Sequence, residues 1–520
     1  MINGMDRAVY NLQKEKIALL ELTPRYARLV LAWYIPNSSF DVFDEFVEPI
    51  KIYEDINRDG FIKPTQIAEV VKIVKMYRKL CDSLEVSKAT AYATSAFREA
   101  KNHYGILEEL EIASGFKIRL MQEQDETVAI YNGVVNTTDA PKGIIIDIED
   151  EYTHIIHYSR KTILNCTTIQ FGAESLATLF MDSVNNPEKQ MQDMCDFFKK
   201  RIQAEVTWFN DIDREELRFI GLGDVFLSIG KISRLGKKYP LDIAHSYRID
   251  MADFENVYNA IKNLNLDKRA RIRGISSKSS STVACGLAIA KAINEVFEVD
   301  EISISTSDVT TGVLFSQCVP ATAEKPIVDL VAYSLQCNVI YHQTVATNSS
   351  HVYYLATLLF RQLRVMHKLG RPYIKALKIA SYMYDCGARL RYSSSKKDAL
   401  QVILNSQIYG VSHTDIIIAA FIASSQNNED FSLSDWVRFK DLVDDEDLQA
   451  VRKLAVIVKI AVALDRSQQG HITDLVCDVL GDSVIMKTVT DNQDISFELH
   501  CAKEASADFK KVYGKNLELL

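Results

Sequence analysis

The spacing of apolar residues in the first 140 positions predicts strands that alternate with helices. Residues 17–21 and 27–31 are mostly apolar and flank a Thr-Pro-Arg turn, which is typical of a β-hairpin. From Ile67 to Leu80, apolar residues recur every three or four positions, as on one face of an amphipathic helix. The other predicted elements are a strand near Ala91, a helix from Ser95, a strand at 116–121 and a helix from about Asp125. This alternation predicts an α/β domain.

The same pattern restarts at Gly143. The predicted elements are three strands up to about Phe171, helices at about 187–208 and 252–264, a strand at 218–222, a helix at about 281–297 and a strand at 301–305. Each half opens with a hydrophobic strand that ends in an acid, Glu21 in the first and Asp147 in the second. Two such halves predict a duplicated α/β fold with a cleft between them.

Beyond Pro320 the pattern changes to helix, from Ile327 to about Ser467, and residues 472–520 alternate again as a small strand-rich end. The predicted domains are therefore an α/β domain at 1–140, a second at 141–320, a helical domain at 321–471 and a small α+β segment at 472–520. A chain of 520 residues is too long for one core, which agrees with several domains.

Composition narrows the functional classes. A hydrophobic content of 47% without a membrane-length apolar run or a secretory signal predicts a cytoplasmic globular protein. The nine cysteines include no CxxC pair, so neither a disulfide framework nor a zinc ribbon is expected. The net charge of −9 gives no general attraction to nucleic acid, and a polyanion would need a local basic patch.

The turn after the strand at Gly143 is acidic, with Glu149-Asp150-Glu151 in sequence. Turns that bind phosphate use glycines, whose backbone N–H groups approach the anion closely. A carboxylate about 4 Å from a phosphate oxygen costs roughly 4 kcal/mol at an effective dielectric near 20. The alternatives for this turn are a site for a divalent cation, a site for a basic partner segment, and a solvated acidic turn.

A basic stretch at 268–273 precedes a run of serines at 276–281. Together they predict either an anion site at a helix N-terminus or an ordinary solvent-facing charge run with helix caps.

Two motifs in the first half carry a family resemblance. Ala93-Thr94-Ser95-Ala96-Phe97-Arg98-Glu99-Ala100-Lys101-Asn102 and the helix from Glu126 to Val134 resemble segments of the exopolyphosphatase and guanosine pentaphosphate phosphohydrolase family, with weaker matches at 170–173 and 460–467. The resemblance implies two actin-like, ribonuclease-H-type domains, followed by a helical domain of the HD type. It also implies a homodimer.

The resemblance assigns candidate roles. Glu126 lies where the family keeps its catalytic base, and Asp147 with Glu21 would hold Mg²⁺. Substrate phosphates would contact Arg98, Arg25, Arg28, Thr94 and Ser95, with Lys278 as a further cation. The structural alternative is that Glu126 and Arg98 are paired helix-surface residues and that Asp147 caps a turn.

The phosphate-binding motifs of the family are changed in this chain. The first loop contains Pro24 and Tyr26, the second contains the acidic turn, and the third is Gly223-Asp224-Val225. An Arg-Glu pair of the family is missing from residues 305–312. In the helical region His351 and Asp385 remain, and one His with one Asp cannot complete a metal shell.

These changes predict a member with weak or no hydrolase activity that acts as a binding or regulatory relative. The alternative is an active exopolyphosphatase that releases terminal phosphate from polyphosphate or guanosine pentaphosphate by metal-assisted hydrolysis. A third possibility is an interaction module of the actin-like class without a small-molecule ligand.

Overall fold

The structure is a computed structural model that describes residues 13–160, 162–180, 186–275, 280–342, 348–390, 395–425, 431–491 and 493–520. These residues form two compact units, Gln13–Val328 and Asp329–Leu520. The finer division into four domains stays a prediction.

The first unit begins with a five-stranded sheet of order β3-β2-β1-β4-β5. Its elements are β1 (Glu15–Leu22), β2 (Tyr26–Ile35), β3 (Ser39–Pro49), α1 (Ile52–Asp59), α2 (Pro64–Ser83), β4 (Lys88–Ala93), α3 (His103–Ser114) and β5 (Ile118–Leu120). The predicted hairpin is confirmed as antiparallel β1 and β2, and β4 lies parallel to β1 on its other side. Pro64 occupies the first turn of α2, where its missing N–H costs no helical hydrogen bond.

A six-stranded sheet of order β10-β11-β9-β6-β7-β8 follows. Its strands are β6 (Lys142–Ile148), β7 (Thr153–Ser159), β8 (Thr162–Ile169), β9 (Arg218–Leu222), β10 (Arg248–Asp250) and β11 (Glu301–Ile304). Its helices are α4 (Glu123–Val135), α5 (Ala173–Phe180), α6 (Pro187–Glu205), α7 (Gly223–Lys237), α8 (Met251–Ile261), α9 (Leu266–Arg269), α10 (Val283–Phe297) and α11 (Val309–Cys318). The predicted strands at 218–222 and 301–305 are confirmed as the parallel pair β9 and β11. Lys278 and most of the serine run lie outside the described residues.

Helices α4 and α11 cross backbone to backbone. A Cβ atom on Gly312 would lie 1.7 Å from the carbonyl oxygen of Ala129, and one on Gly133 would lie 3.0 Å from the carbonyl oxygen of Asp308. Ile130 packs in a core with residues of the second sheet, whereas Ala129 packs with residues of the first. The crossing therefore joins the two sheets and fixes the space at the carboxyl ends of β1 and β6.

The second unit is mainly helical. Its elements are α12 (Leu330–Cys337), α13 (Ser349–Gln362), α14 (Arg364–His367), α15 (Tyr373–Tyr382), α16 (Ser395–Leu404), α17 (His413–Ser424), α18 (Leu433–Val437), α19 (Asp445–Ala463), β12 (Ile472–Leu480), β13 (Ser483–Thr490), α20 (Ser496–Glu504), α21 (Ser506–Tyr513) and β14 (Asn516–Leu519). The predicted small α+β end of the chain agrees with this part of the fold, in which α20 and α21 separate β13 from β14. The acidic run at 444–447 opens α19, where the Asp444 side chain accepts a hydrogen bond from the Asp447 N–H.

A buried polar cluster lies where α13 meets the end of α19. His351 Nδ1 lies 3.1 Å from Asp465 Oδ2, and Asp465 also accepts hydrogen bonds from Asn348 Nδ2 at 3.0 Å and the Gly470 N–H at 2.8 Å. Tyr384 donates its hydroxyl to Asn348 at 3.1 Å. Burial opposes a charge on His351, but Asp465 outweighs burial and raises the pKa of the imidazole. The cluster is therefore a charge-paired link between helices. Among the residues described, no helix combines the length and apolar character needed to cross a bilayer.

Candidate functional site

A cavity of about 70 Å³ lies where β1 and β6 end. Its lining consists mainly of carboxylates and hydroxyls, with one arginine and one histidine: Glu21, Thr23, Tyr26, Arg28, Thr94, Ser95, Ala96, Glu126, Asp147, Glu149, Asp150, Glu151, Tyr152, His154, Asp308 and Val309. Burial lowers the pKa of His154 to about 4, so its ring is neutral at neutral pH. The cavity is much smaller than the roughly 300 Å³ at which drug-sized ligand pockets begin.

The first loop, between β1 and β2, satisfies its own N–H groups. Thr23 Oγ1 accepts hydrogen bonds from the N–H groups of Arg25 at 3.2 Å and Tyr26 at 3.0 Å. The Thr23 N–H donates to the Tyr26 carbonyl at 3.0 Å. These donors are the groups that a glycine-rich loop would direct at a phosphate, and here they are occupied within the loop.

The second loop, Glu149-Asp150-Glu151, packs against the start of α5. The Ala173 N–H donates to the Glu149 carbonyl at 2.8 Å, and the Glu174 N–H donates to the Asp150 carbonyl at 2.9 Å. A Cβ on Gly172 would lie 2.2 Å from the Glu149 carbonyl oxygen, so this approach requires glycine. The first N–H groups of α5, which would otherwise attract an anion, therefore bind the loop backbone.

Arg25 connects the two loops. Its guanidinium lies 3.3 Å from Asp150, 3.1 Å from Glu151 and 3.6 Å from Glu174, and it stacks 3.8 Å from the ring centroid of Tyr53. Even so, burial and the neighbouring Asp150 raise the pKa of Glu151 to about 8, because Arg25 only partly offsets them. The cation predicted to contact substrate phosphate is thus already shared among carboxylates.

Arg28 is engaged in the same way on the other side of the cavity. It lies 2.5 Å from Asp308, 3.0 Å from Glu45 and 3.4 Å from Glu21. Burial opposes its charge, but Asp308 and Glu21 outweigh burial and raise the pKa of Arg28. Glu21 Oε2 also accepts a hydrogen bond from Thr310 at 3.2 Å.

Glu126 lies in the first turns of α4, beside Ser95. Its carboxylate accepts hydrogen bonds from the Ser95 N–H at 2.5 Å and the Ser95 hydroxyl at 2.7 Å. Burial raises the pKa of Glu126 to about 7, and the two hydrogen bonds oppose this rise. A carboxyl group with a pKa near 7 is suited to general-base chemistry at neutral pH.

Asp147 and Glu149 are in contact with each other and with no cationic side chain of the described residues. Asp147 is 1% exposed, and its Oδ1 has no hydrogen-bond partner. Burial, followed by Asp308, raises the pKa of Asp147 to about 7. Glu149 keeps solvent contact in the cleft, but surrounding protein and then Asp147 raise its pKa strongly. Two neighbouring carboxyl groups in this setting do not both ionise readily.

A second, more open cavity of about 320 Å³ adjoins the first and shares Ser95 and Tyr152 with it. Its other lining residues are Arg98, Glu99, Gln122, Glu123, Thr168 and Gln170. Arg98 donates from Nη2 to the Met121 carbonyl at 2.9 Å, while its buried Nε has no partner. Tyr152 donates to Glu99 at 2.5 Å.

The predicted Mg²⁺ ligands do not form a ready metal shell. Asp147 offers a buried oxygen without a partner, but Glu21 is held by Arg28 and Thr310. Within the described ranges, no group of three or more histidine, cysteine, aspartate or glutamate side chains is arranged to hold a metal ion. Mg²⁺ binding stays a prediction.

The structure brings six of the eight predicted site residues to one cavity. These are Glu21, Arg28, Thr94, Ser95, Glu126 and Asp147. Arg25 lies in the first loop but reaches across to the second, and Arg98 lines the adjoining cavity. Sequence reasoning did not assign a site role to Asp308, which pairs with Arg28. The only signal was its place in the altered 305–312 motif.

Comparisons with known proteins identify the family. A model described as the Ppx/GppA phosphatase family matches residues 37–320, and one for domain III of Ppx/GppA phosphatase matches residues 338–505. A Haemophilus influenzae protein, named provisionally as an exopolyphosphatase, is 22% identical over 303 residues, covering 58% of this chain and 91% of the relative. A bifunctional 3-dehydroquinate synthase/phosphatase of Fusobacterium nucleatum is 22% identical over 277 residues, covering 52% of this chain and 41% of that relative.

Solved structures agree on the fold. The Aquifex aeolicus member of the Ppx/GppA family aligns with a TM-score of 0.52 at 19% identity, covering 59% of this chain and 99% of that chain. An exopolyphosphatase from Cytophaga hutchinsonii aligns with a TM-score of 0.52 at 18% identity, covering 58% of this chain and 97% of that chain. The predicted actin-like α/β fold with a helical region after it is confirmed, whereas the HD-type assignment of that region stays a prediction. The chain belongs to the Ppx/GppA phosphatase family.

Proposed function

We propose that this protein is a binding or regulatory member of its family, with weak or no hydrolysis of phosphoanhydride bonds. The observation that carries the proposal is that arginines and carboxylates of the protein itself pair with one another around the two loops. Arg25 pairs with Asp150, Glu151 and Glu174, and Arg28 pairs with Asp308, Glu45 and Glu21.

The charges around the cavity predict that the end of a polyphosphate chain would bind only weakly at this position. Asp147 and Glu149 line the cavity without a cationic partner, and an ionised carboxyl group of this pair about 4 Å from a phosphate oxygen would cost roughly 4 kcal/mol. Arg25 and Arg28 could contribute attraction only by leaving their present carboxylates. That exchange would leave partly buried carboxylates unpaired, which is unfavourable.

The second candidate is an active exopolyphosphatase, and Glu126 is the observation that favours it. Its pKa of about 7 and its hydrogen bonds to Ser95 would let it deprotonate or orient a water. In this candidate Arg98 neutralises a phosphate oxygen, and Asp147 and Glu21 bind Mg²⁺ after Glu21 separates from Arg28. The Haemophilus relative suggests polyphosphate as the substrate, and guanosine polyphosphate is the alternative that the family resemblance adds.

The two candidate functions predict different rates of phosphate release. The purified full chain would be incubated with polyphosphate or guanosine pentaphosphate and Mg²⁺, beside an active family exopolyphosphatase as the positive control. We expect release no faster than in buffer alone. Turnover comparable to the positive control, lost in Glu126→Gln but kept in the exposed-site control Glu109→Gln, would establish the active candidate instead. The homodimer and the cytoplasmic location rest on the sequence and the resemblance, and stay predictions.

A further inference from the structure

Two oxygen atoms that line or adjoin the inner cavity are buried and could accept hydrogen bonds that the protein does not supply. Asp147 Oδ1 and Thr94 Oγ1 are buried atoms that have no hydrogen-bond partner. Glu149 lines the same cavity, and no lysine or arginine in the described part of the chain pairs with Asp147 or Glu149. The acids around them differ in this respect, because Asp150, Glu151, Asp308 and Glu21 all have an arginine partner.

Asp147, Glu149 and Thr94 together suit an ammonium group better than a metal ion. A divalent cation needs several ligands that converge at about 2.0–2.6 Å, and the described residues offer no such group of three. A primary ammonium group carries three N–H donors and accepts looser distances of about 2.7–3.2 Å. Asp147, Glu149 and Thr94 would supply one acceptor to each donor, and the positive charge would remove the repulsion between the two carboxylates.

The two cavities together indicate the shape of the ligand. The inner cavity, about 70 Å³, has room for an ammonium head and little more, whereas the adjoining cavity of about 320 Å³ has room for a chain. The outer lining contains the carboxylates of Glu99 and Glu123, which would attract a second positive charge on that chain. Arg98 in the same lining would repel a third positive charge.

We infer that the cleft binds a linear aliphatic diamine or polyamine, with one terminal ammonium group held by Asp147, Glu149 and Thr94. The inference deepens the proposed function and rests on it, since it names a cation where other family members take a polyanion.

The test is isothermal titration calorimetry of the full chain with 1,4-diaminobutane at low ionic strength. We expect saturable one-to-one binding, weakened at least about tenfold by Asp147→Asn and by Glu149→Gln, because charge-assisted hydrogen bonds are lost. Glu109→Gln, which removes an exposed acid from α3, should bind as the unaltered protein does. Tetramethylammonium, which has the charge but no N–H donor, should not bind measurably.

Absence of diaminobutane binding by the folded protein would overturn the inference, and so would equal binding of tetramethylammonium. Binding unchanged in both Asp147→Asn and Glu149→Gln would also overturn it. Circular dichroism of each variant verifies that loss of binding is not loss of folding. This test is independent of the test of the proposed function, because phosphate release is measured without amine. A protein that neither releases phosphate nor binds amine would contradict this inference and leave the proposed function standing.

Discussion

Two aspartates that are equally buried have opposite surroundings. Asp147, in the cleft of the first unit, and Asp465, in the helical unit, are each 1% exposed. Asp465 receives hydrogen bonds from Asn348 and Gly470 and lies beside the imidazole of His351. Asp147 has acidic neighbours and one oxygen without a partner. Burial alone therefore does not decide whether a carboxylate stabilises a fold; the donors around it do.

The contrast shows two ways in which polar groups are arranged where this chain departs from the family's motifs. Both regions differ in sequence from the motifs that the family resemblance describes. In the helical unit the remaining polar groups pair with one another, and the cluster acts as a structural link. In the cleft the pairing is incomplete, as is common where a protein retains a binding role at some cost in stability.

The largest expected effect is loss of stability in Asp465→Asn. The new amide would direct a donor at the Asn348 amide or at the Gly470 N–H, and His351 would lose its negative partner. Breaking a buried pair of this kind costs about 3 kcal/mol. Urea unfolding followed by Trp436 fluorescence, in a Trp33→Phe and Trp208→Phe background, measures the helical unit. Asp482→Asn, at an exposed position, should leave that unfolding curve unchanged.

The same substitution at Asp147 should have the opposite sign. Because burial raises the folded-state pKa of Asp147 from 3.8 to about 7, its ionisation opposes folding increasingly as the pH rises through this interval. Asp147→Asn should therefore stabilise the first unit by about 1–3 kcal/mol at pH 8, with the gain disappearing near pH 4. Thermal unfolding of both proteins across pH 4–8 provides the measurement, with exposed Asp211→Asn as the control. A loss of stability at pH 8 would show that Asp147 is paired after all.

The sequence predicted the regular elements with strong periodicity better than the rest. The β1–β2 hairpin and helix α2 follow from buried apolar positions at strand and helix spacing. Strand β3 was not predicted, because it is an edge strand with mostly exposed side chains and many acids. Helix α11 was also missed, since residues 305–312 were interpreted only as an altered motif.

For the site, the acidic turn was predicted to be unfavourable for phosphate from local sequence alone. The Arg25 bridge was not predicted, because its partner Glu151 lies 126 positions away and the contact depends on how the two sheets meet. Asp147 and Glu149 are near neighbours in sequence, but the burial of Asp147 depends on the same tertiary packing. Local sequence gives the charges of a cleft, whereas tertiary packing decides which of them are paired.

The smallest effect is expected for Arg25→Ala. The ion pairs are partly exposed, so the loss of global stability should be only about 1 kcal/mol. Locally, the first and second loops would separate more often, and hydrogen–deuterium exchange should rise at residues 22–26 and 149–152. Arg214→Ala, which removes a surface pair with Glu298, should leave exchange in both loops unchanged. Unaltered exchange in Arg25→Ala would mean that backbone contacts alone hold the loops.

Because Arg25 bridges the first and second loops, the effect of a substitution in one loop depends on the residues present in the other. Introducing glycines at 149–151 would remove two of the three acids that pair with Arg25, and the freed guanidinium would then lie beside a turn able to accept an anion. Replacing Arg25 first would instead leave those acids without a positively charged partner. The order of substitutions therefore matters, and a route to a phosphate-binding turn would start from the acidic turn.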